Sequence, residues 1–138
     1  IIKKPKIYFL DTGLCSYLAR IPTAEILEKS AFAVAFYETY VISEIIKSYY
    51  NSSKDYKREI YYYRDKDQKE VDLIIESFEG IYPIEIKKGI NRVSPKKNFN
   101  FLQKYNKKIF NGLIIDSCEK IVPLNNEIYY CPISMIGL

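Results

Sequence analysis

This sequence of 138 residues contains no histidine, and its three cysteines (Cys15, Cys118, Cys131) are widely spaced. Without histidine, Ser-His-Asp and Cys-His catalysis are excluded, and there is no Cys/His zinc set and no C-x-x-C pair. No glycine-rich phosphate-binding motif occurs either. We therefore expect free thiols in a reducing cytoplasm. Any chemistry has to come from carboxylates, Lys, Arg, Tyr or a metal ion that they bind.

The chain also lacks long apolar runs: none approaches the roughly 18 to 20 residues that a membrane span needs, so no membrane association is expected. It has no initiating methionine and no leader pattern, which favours a fragment of a longer cytoplasmic protein. Hydrophobic residues make up 48% of the chain, with 14 Tyr and 7 Phe, which is enough for a core. We expect a single domain over residues 1–138.

The hydrophobic pattern predicts an α/β domain in which helices pack on a sheet. One long helix is predicted at residues 28–50. A second is predicted at residues 94–107, with Ser94 as the N-cap and Pro95 in the first turn. Strands are predicted at residues 6–10, 59–64, 70–76, 81–87 and 112–116, with shorter candidates at 121–124 and 128–131.

The strands at 70–76 and 81–87 contain the most informative residues. Side chains alternate along a strand, so Val71 and Leu73 are expected on one face and Asp72 on the other. A hairpin closing around residues 78–79 places Asp72 directly opposite Glu85, with Cβ atoms about 5 Å apart. Facing carboxylates repel each other unless a cation such as Mg²⁺ lies between them. Lys87, on the same face, is then positioned to orient a water or to stabilise negative charge.

A plainer interpretation of these residues stays open. Strands at a protein surface often carry Asp, Glu and Lys on the solvated face, and in this register Lys87 pairs with Glu70. A third carboxylate favours the functional interpretation. Glu38 shares a helical stripe with Val41 and Ile42, and a carboxylate on a core-facing stripe needs a partner.

Together these residues resemble a known superfamily. Glu38, Asp72 and the Glu85-Ile86-Lys87 triplet are similar to the PD-(D/E)XK nuclease signature, in which a helical Glu precedes a β-hairpin with D…E-x-K. The closer resemblance is to the domain of unknown function at the C-terminus of prokaryotic AAA-type P-loop ATPases. The resemblance extends from about residue 3 to 136. It depends on sequence motifs at residues 6–14, 37–44, 62–64 with 70–72, and 82–87. Thr39 and Ala35 depart from the family pattern, where Asn and Gly are common.

The resemblance implies a three-layer α/β/α fold with a central mixed sheet of four to five strands, a restriction-endonuclease-like core. It implies Mg²⁺ or Mn²⁺ as cofactor, with Asp72 and Glu85 as metal ligands and Lys87 as the residue that assists attack of water on a phosphodiester. Glu38 would bind the metal directly or through water. It also implies an N-terminal AAA-type ATPase domain in the parent chain and, by analogy with other nucleases of this fold, a possible homodimer.

Charge is concentrated just after the signature. Residues 87–108 contain eight basic residues and no acid, which suits a phosphate backbone. The residues expected to contact nucleic acid are Lys88, Arg92, Lys96 and Lys97. The alternative for this stretch is an amphipathic helix with its lysines in water.

Three functional interpretations follow. The first is a metal-dependent nuclease-like domain with Glu38, Asp72, Glu85 and Lys87 as its catalytic residues. The second is a non-catalytic module of the same fold that binds DNA or a protein for the ATPase. In the third, the carboxylates share a proton or pair structurally with Lys87 and Arg64.

Overall fold

The computed structural model of the protein describes residues 6–89, 93–94 and 96–136. Three α-helices come first: α1 (Thr12–Leu18), α2 (Ala24–Lys29) and α3 (Ala33–Asn51). Side-chain oxygens of Asp11 and Thr23 accept backbone N–H groups in the first turns of α1 and α2. The predicted strand at residues 6–10 is wrong: this segment has no regular secondary structure. Its Lys6 and Tyr8 side chains contact α3 instead.

The sheet has six strands rather than four to five. They are β1 (Ile60–Arg64), β2 (Glu70–Glu76), β3 (Ile81–Ile86), β4 (Gly112–Asp116), β5 (Val122–Pro123) and β6 (Ile128–Pro132), in the order β1-β2-β3-β4-β6-β5. The sheet is mixed, since β3, β4 and β6 are parallel neighbours and the other pairs are antiparallel. Both short C-terminal candidates join the same sheet beyond β4, which accounts for the additional strand. The α/β class is confirmed.

Two predicted helices have different bounds. The predicted helix at 28–50 is split, because α2 ends at Lys29 and α3 begins at Ala33. The helix predicted at 94–107 is only a 3₁₀ helix, Asn100–Tyr105, and Pro95 lies outside the described residues. Side-chain oxygens of Ser94 and Asn98 accept the backbone N–H groups of the residues two positions later, an arrangement that competes with α-helix formation.

The core is formed by two clusters of buried apolar residues that use alternating residues of the strands. In the first, α3 packs against β2, β3 and β4 through Val41, Ile42, Ile45, Ile46, Leu73, Ile84, Ile86 and Ile115. In the second, the 3₁₀ helix and the residue before it pack through Leu102 and Phe99 against Tyr63, Val71, Ile74, Ile81, Ile114 and Ile128. The predicted apolar stripe of α3 is thereby confirmed. The three cysteines are free, and no helix in the described ranges is long and apolar enough to cross a membrane.

Candidate active site: an acidic cluster at the ends of β2 and β3

The hairpin of β2 and β3 has the predicted register over most of its length. Four ladder pairs, from Glu76↔Ile81 to Leu73↔Ile84, enclose a four-residue turn. The ladder ends there, one position before the Asp72–Glu85 pair that the sequence predicts. The carboxylates are therefore not ladder partners, although both lie at the same end of the two strands.

A β-bulge explains why the ladder ends. Between β1 and β2 the register shifts, because Tyr61 pairs with Ile74 whereas Tyr63 pairs with Val71. Two residues of β2, Asp72 and Leu73, therefore oppose one residue of β1. The prediction that Val71 and Leu73 share a face is wrong, since they pack in different core clusters.

The bulge directs the Asp72 side chain at the backbone of β3. Asp72 Oδ2 accepts a hydrogen bond from the backbone N–H of Ile86 at 2.8 Å. Burial raises the pKa of Asp72, and repulsion from Glu85 and Glu38 adds to the rise. The Ile86 N–H group and Lys6 oppose this shift only in part. Asp72 is thus a carboxylate with two like charges nearby.

Lys6 lies among three of the carboxylates. Its ammonium is 2.9 Å from Glu38 Oε1, 2.5 Å from Glu70 Oε1 and 3.7 Å from Asp72 Oδ1. The Tyr8 hydroxyl donates a second hydrogen bond to Glu38 Oε1, at 2.9 Å. Burial alone would lower the pKa of Lys6, but hydrogen bonds to Glu70 and Glu38 outweigh it and the pKa is raised. Lys6 therefore carries its charge throughout the physiological range.

Glu85 is held between two other lysines. Lys87 Nζ is 2.7 Å from its Oε1 and Lys97 Nζ is 2.7 Å from its Oε2. Burial favours a raised pKa for Glu85, but the two ammonium groups outweigh burial and the pKa is lowered. Glu85 Oε2 is buried and no described residue donates a well-aligned hydrogen bond to it. The short Lys97 contact is therefore an ion pair of poor hydrogen-bond geometry.

Electrostatic interactions link the four residues that the sequence analysis proposes as catalytic, Glu38, Asp72, Glu85 and Lys87. Burial lowers the pKa of Lys87, but its pairing with Glu85, followed by attraction to Asp72 and Glu38, leaves the pKa raised. The alternative pairing of Lys87 with Glu70 is wrong, because Glu70 contacts Lys6 and lies 3.8 Å from Arg64. We call Glu38, Glu70, Asp72 and Glu85 the acidic cluster.

The predicted nucleic-acid contacts are distributed differently. Lys97 contacts Glu85, and Lys88 lies 3.2 Å from the exposed Glu28. Lys96 is exposed, and Arg92 lies outside the described residues. Part of the basic stretch thus neutralises the protein's own acids.

An open cleft of about 750 Å³ adjoins Glu85. It is lined by Gln68, Lys69, Glu70, Glu85, Lys97, Asn98, Phe99, Asn100 and Phe101. Lysines, side-chain amides and an aromatic ring are the groups that contact phosphates and bases in nucleic-acid complexes. The cleft connects the acidic cluster with the first half of the basic stretch.

No group of three or more His, Cys, Asp or Glu side chains within the described ranges is arranged to hold a metal ion. The residues that sequence reasoning missed are Lys6, Tyr8 and Glu70. Glu70 was recognisable as a neighbour of the signature. Nothing in the local pattern placed Lys6 and Tyr8 there, because they contact residues at least 30 positions away.

Comparison with known families shows which family the chain resembles. The matching family model is described as a domain of unknown function (DUF4143) and covers residues 34–136. This range contains the whole acidic cluster and Lys87 but begins after Lys6. Neither the curated proteins nor the solved structures contain a match to this chain.

Proposed function

This chain belongs to the DUF4143 family, and we propose that it is a nuclease-like domain that binds nucleic acid and hydrolyses phosphodiesters with a divalent cation. One observation carries the proposal. Two carboxylates from neighbouring strands, a third from α3 and a lysine two residues after Glu85 converge at one end of the sheet, as the Lys6 ion pairs and the Glu85–Lys87 contact indicate.

By residue type the donor set suits Mg²⁺ or Mn²⁺, which prefer carboxylate oxygens and retain several waters, so that two carboxylates suffice where no group of three among the described residues is arranged to hold an ion. Asp72 uses one oxygen for the Ile86 N–H group, and among the described residues its other oxygen is contacted by Lys6, at 3.7 Å. Glu85 Oε2 has a lysine nearby but no well-aligned donor among the described residues. Asp72 and Glu85 would hold the cation, with Glu38 binding directly or through water. A bound cation would polarise the phosphate and lower the pKa of a coordinated water.

The protein's own groups have separate roles in this proposal. Lys87 positions the attacking water and stabilises developing charge, for which its raised pKa keeps it cationic. Lys96, Lys88 and Arg92 contact the phosphate backbone. Lys97 contacts Glu85 and, like it, lines the cleft, so it can exchange its carboxylate partner for a phosphate bound there.

The finer features of the domain are also proposals. The sheet with α3 on one face and the 3₁₀ helix on the other supports a three-layer arrangement of the PD-(D/E)XK type. The motifs at residues 6–14 and 82–87 resemble those of the domain at the C-terminus of AAA-type ATPases. This resemblance supports an N-terminal AAA-type ATPase in the parent chain, with the domain acting in the cytoplasm. A homodimer is proposed only by analogy with nucleases of this fold.

A second candidate function has its own observation. Three lysines, Lys6, Lys87 and Lys97, already form ion pairs with carboxylates of the acidic cluster. A cluster compensated in this way favours a catalytically inactive module that keeps the fold and binds DNA or a protein partner. The two candidates differ in what the acids do: in the inactive module their removal changes stability but produces no loss of catalysis.

Cleavage of plasmid DNA, single-stranded DNA and RNA with Mg²⁺ or Mn²⁺ tests the proposal. We expect cutting by the wild type and its loss in Asp72→Asn and Lys87→Met, whereas Glu79→Gln, in the exposed β2–β3 turn, should cut normally. Asn at position 72 still accepts the Ile86 hydrogen bond, so loss of cutting there would not reflect unfolding. Equal cutting by all four proteins would show that the assigned site is wrong.

Absence of cutting would favour the second candidate. A DNA-binding assay then distinguishes a module that binds DNA from one that binds a protein partner. In that case we expect wild-type DNA binding that weakens with salt, because counterions are released when lysines contact phosphates. Lys96→Met should reduce the salt dependence, while Asp72→Asn should leave it unchanged. No binding under any salt condition would leave only a protein-binding role.

A further inference from the structure

The Lys6 ammonium lies at the centre of an acidic site that the chain assembles from two separate elements. Glu38 belongs to α3, and Glu70 and Asp72 belong to β2, yet all three carboxylates face the same nitrogen. Their side chains are between 13% and 30% exposed, so water screens them only in part. Lys6 therefore faces three partly buried negative charges, and Arg64 lies 3.8 Å from one of them, Glu70.

The segment that brings Lys6 to this place is held by its side chains, since Lys6 contacts three carboxylates and Tyr8 packs against the first core cluster. Residues 6–9 have no regular secondary structure, and Ile7, between the two contacting side chains, is 83% exposed. Lys6 and Tyr8 both donate a side-chain hydrogen bond to the same atom, Glu38 Oε1. Any ligand that takes this oxygen removes both of those bonds at once.

We propose that residues 6–8 form a displaceable strap, with Lys6 as the internal cation of the acidic cluster, and that this strap and a divalent cation exclude each other. The inference rests on the proposed function, since it concerns access to the same carboxylates. The reason for exclusion is geometric and electrostatic. A divalent cation held by Asp72 and Glu38 would lie roughly 2.0 to 2.6 Å from their oxygens, and the Lys6 ammonium, 2.9 Å from Glu38 and 3.7 Å from Asp72, occupies that space.

Mn²⁺ titration tests the proposal on the full chain, with metal binding followed by electron paramagnetic resonance. Lys6→Met removes the internal cation, and Lys66→Met is the matched control because Lys66 is exposed in the β1–β2 turn. We expect Lys6→Met to bind Mn²⁺ at least about tenfold more tightly than the wild type, and Lys66→Met to resemble the wild type. Tyr8→Phe, which removes one hydrogen bond and no charge, should have a smaller effect in the same direction.

Acylation of the Lys6 amine by an amine-reactive reagent supplies a second readout that long-range electrostatics alone would not change. In the wild type, Mn²⁺ should accelerate labelling of Lys6, because the ammonium leaves its carboxylate partners when the cation binds, whereas the exposed Lys66 should be labelled at the same rate with and without Mn²⁺. Tighter Mn²⁺ binding by Lys6→Met without faster labelling of wild-type Lys6 would overturn the strap, since the effect would then be simple long-range electrostatics.

The remaining outcomes separate the strap from the proposed function. Equal Mn²⁺ affinity in the wild type and Lys6→Met would overturn the strap while metal-dependent function survives. Loss of cleavage in Lys6→Met with unchanged Mn²⁺ affinity would also overturn it, because Lys6 would then contact substrate. If neither protein binds Mn²⁺, the metal-dependent function fails and the competition fails with it.

Discussion

The two central carboxylates should respond in opposite ways when their charge is removed. Asp72→Asn keeps a hydrogen-bond acceptor for Ile86 and removes a negative charge that Glu85 and Glu38 repel. The substitution weakens two attractions, the 3.7 Å approach of the Lys6 ammonium to Oδ1 and the longer-range attraction of Lys87, which together do not outweigh burial and repulsion. We therefore expect a free energy of unfolding at pH 7 that is unchanged or higher by up to about 1 kcal/mol.

Glu85→Gln should instead destabilise the fold. Glu85 has a side chain only 10% exposed and lies 2.7 Å from both Lys87 and Lys97. Its neutralisation leaves two ammonium groups close together without their anion. Removing one partner of a fully buried pair costs about 3–5 kcal/mol. Since Lys87 and Lys97 are 37% and 22% exposed and can rehydrate, we expect a smaller loss of about 2–3 kcal/mol.

The pH dependence follows from the directions of the pKa shifts. The pKa of Glu85 is lowered in the folded state, so its stabilisation is complete above the unfolded value of about 4.3 and is lost only below it. The cost of Glu85→Gln should therefore be constant from pH 5 to 8. The pKa of Asp72 is raised above about 3.9, so its ionisation penalty is largest at neutral pH and disappears on acidification. Any gain from Asp72→Asn should shrink in the same direction.

Urea unfolding followed by circular dichroism at several pH values between 5 and 8 measures both effects. Glu79→Gln, at an exposed position of the β2–β3 turn, is the matched control and should lie within about 0.5 kcal/mol of the wild type. The reasoning is refuted if Asp72→Asn destabilises the protein as strongly as Glu85→Gln. It is also refuted if the benefit of Asp72→Asn grows as the pH falls.

Three further predictions concern the fold around the site. Leu102→Ala removes a fully buried side chain from the second core cluster and should cost about 3 kcal/mol in urea unfolding. Gly80→Ala places a Cβ 2.3 Å from the Lys108 carbonyl oxygen, which already accepts a backbone hydrogen bond, and should cost more than about 2 kcal/mol. Gly89→Ala, with φ +81° and open space, should cost only about 1 kcal/mol, so equal losses at the two glycines would contradict the steric argument. Burial and Asp116 raise the pKa of Cys118 to about 11, so its alkylation at pH 8 should be at least about tenfold slower than in urea.

Several strands of the sheet could be predicted because their determinants are local. Alternation of side chains and the position of the polar turn identified residues 70–76 and 112–116 with the bounds that the structure has. The same local pattern predicted the register from Leu73↔Ile84 to the turn. Glu38 was recognisable because a carboxylate on an apolar helical stripe is costly without a partner.

The errors arose where side chains compete with backbone pairing. The helix predicted at 94–107 is reduced to Asn100–Tyr105 because nearby Ser and Asn side chains bind the backbone N–H groups. The bulge at Asp72 interrupts the alternation of side chains along β2. A single additional residue cannot be predicted from a periodic hydrophobic pattern.

The sequence by itself determined the α/β class, most of the strands and the identity of the carboxylates and lysine that converge. These properties depend on residue type and short-range spacing, which a single chain displays directly. Only the tertiary structure decided which cation each carboxylate meets: Lys6 with Glu38 and Glu70, and Lys97 with Glu85. Ion pairs between distant residues depend on how α3, the sheet and an irregular segment pack together, and that arrangement leaves no periodic trace in the sequence.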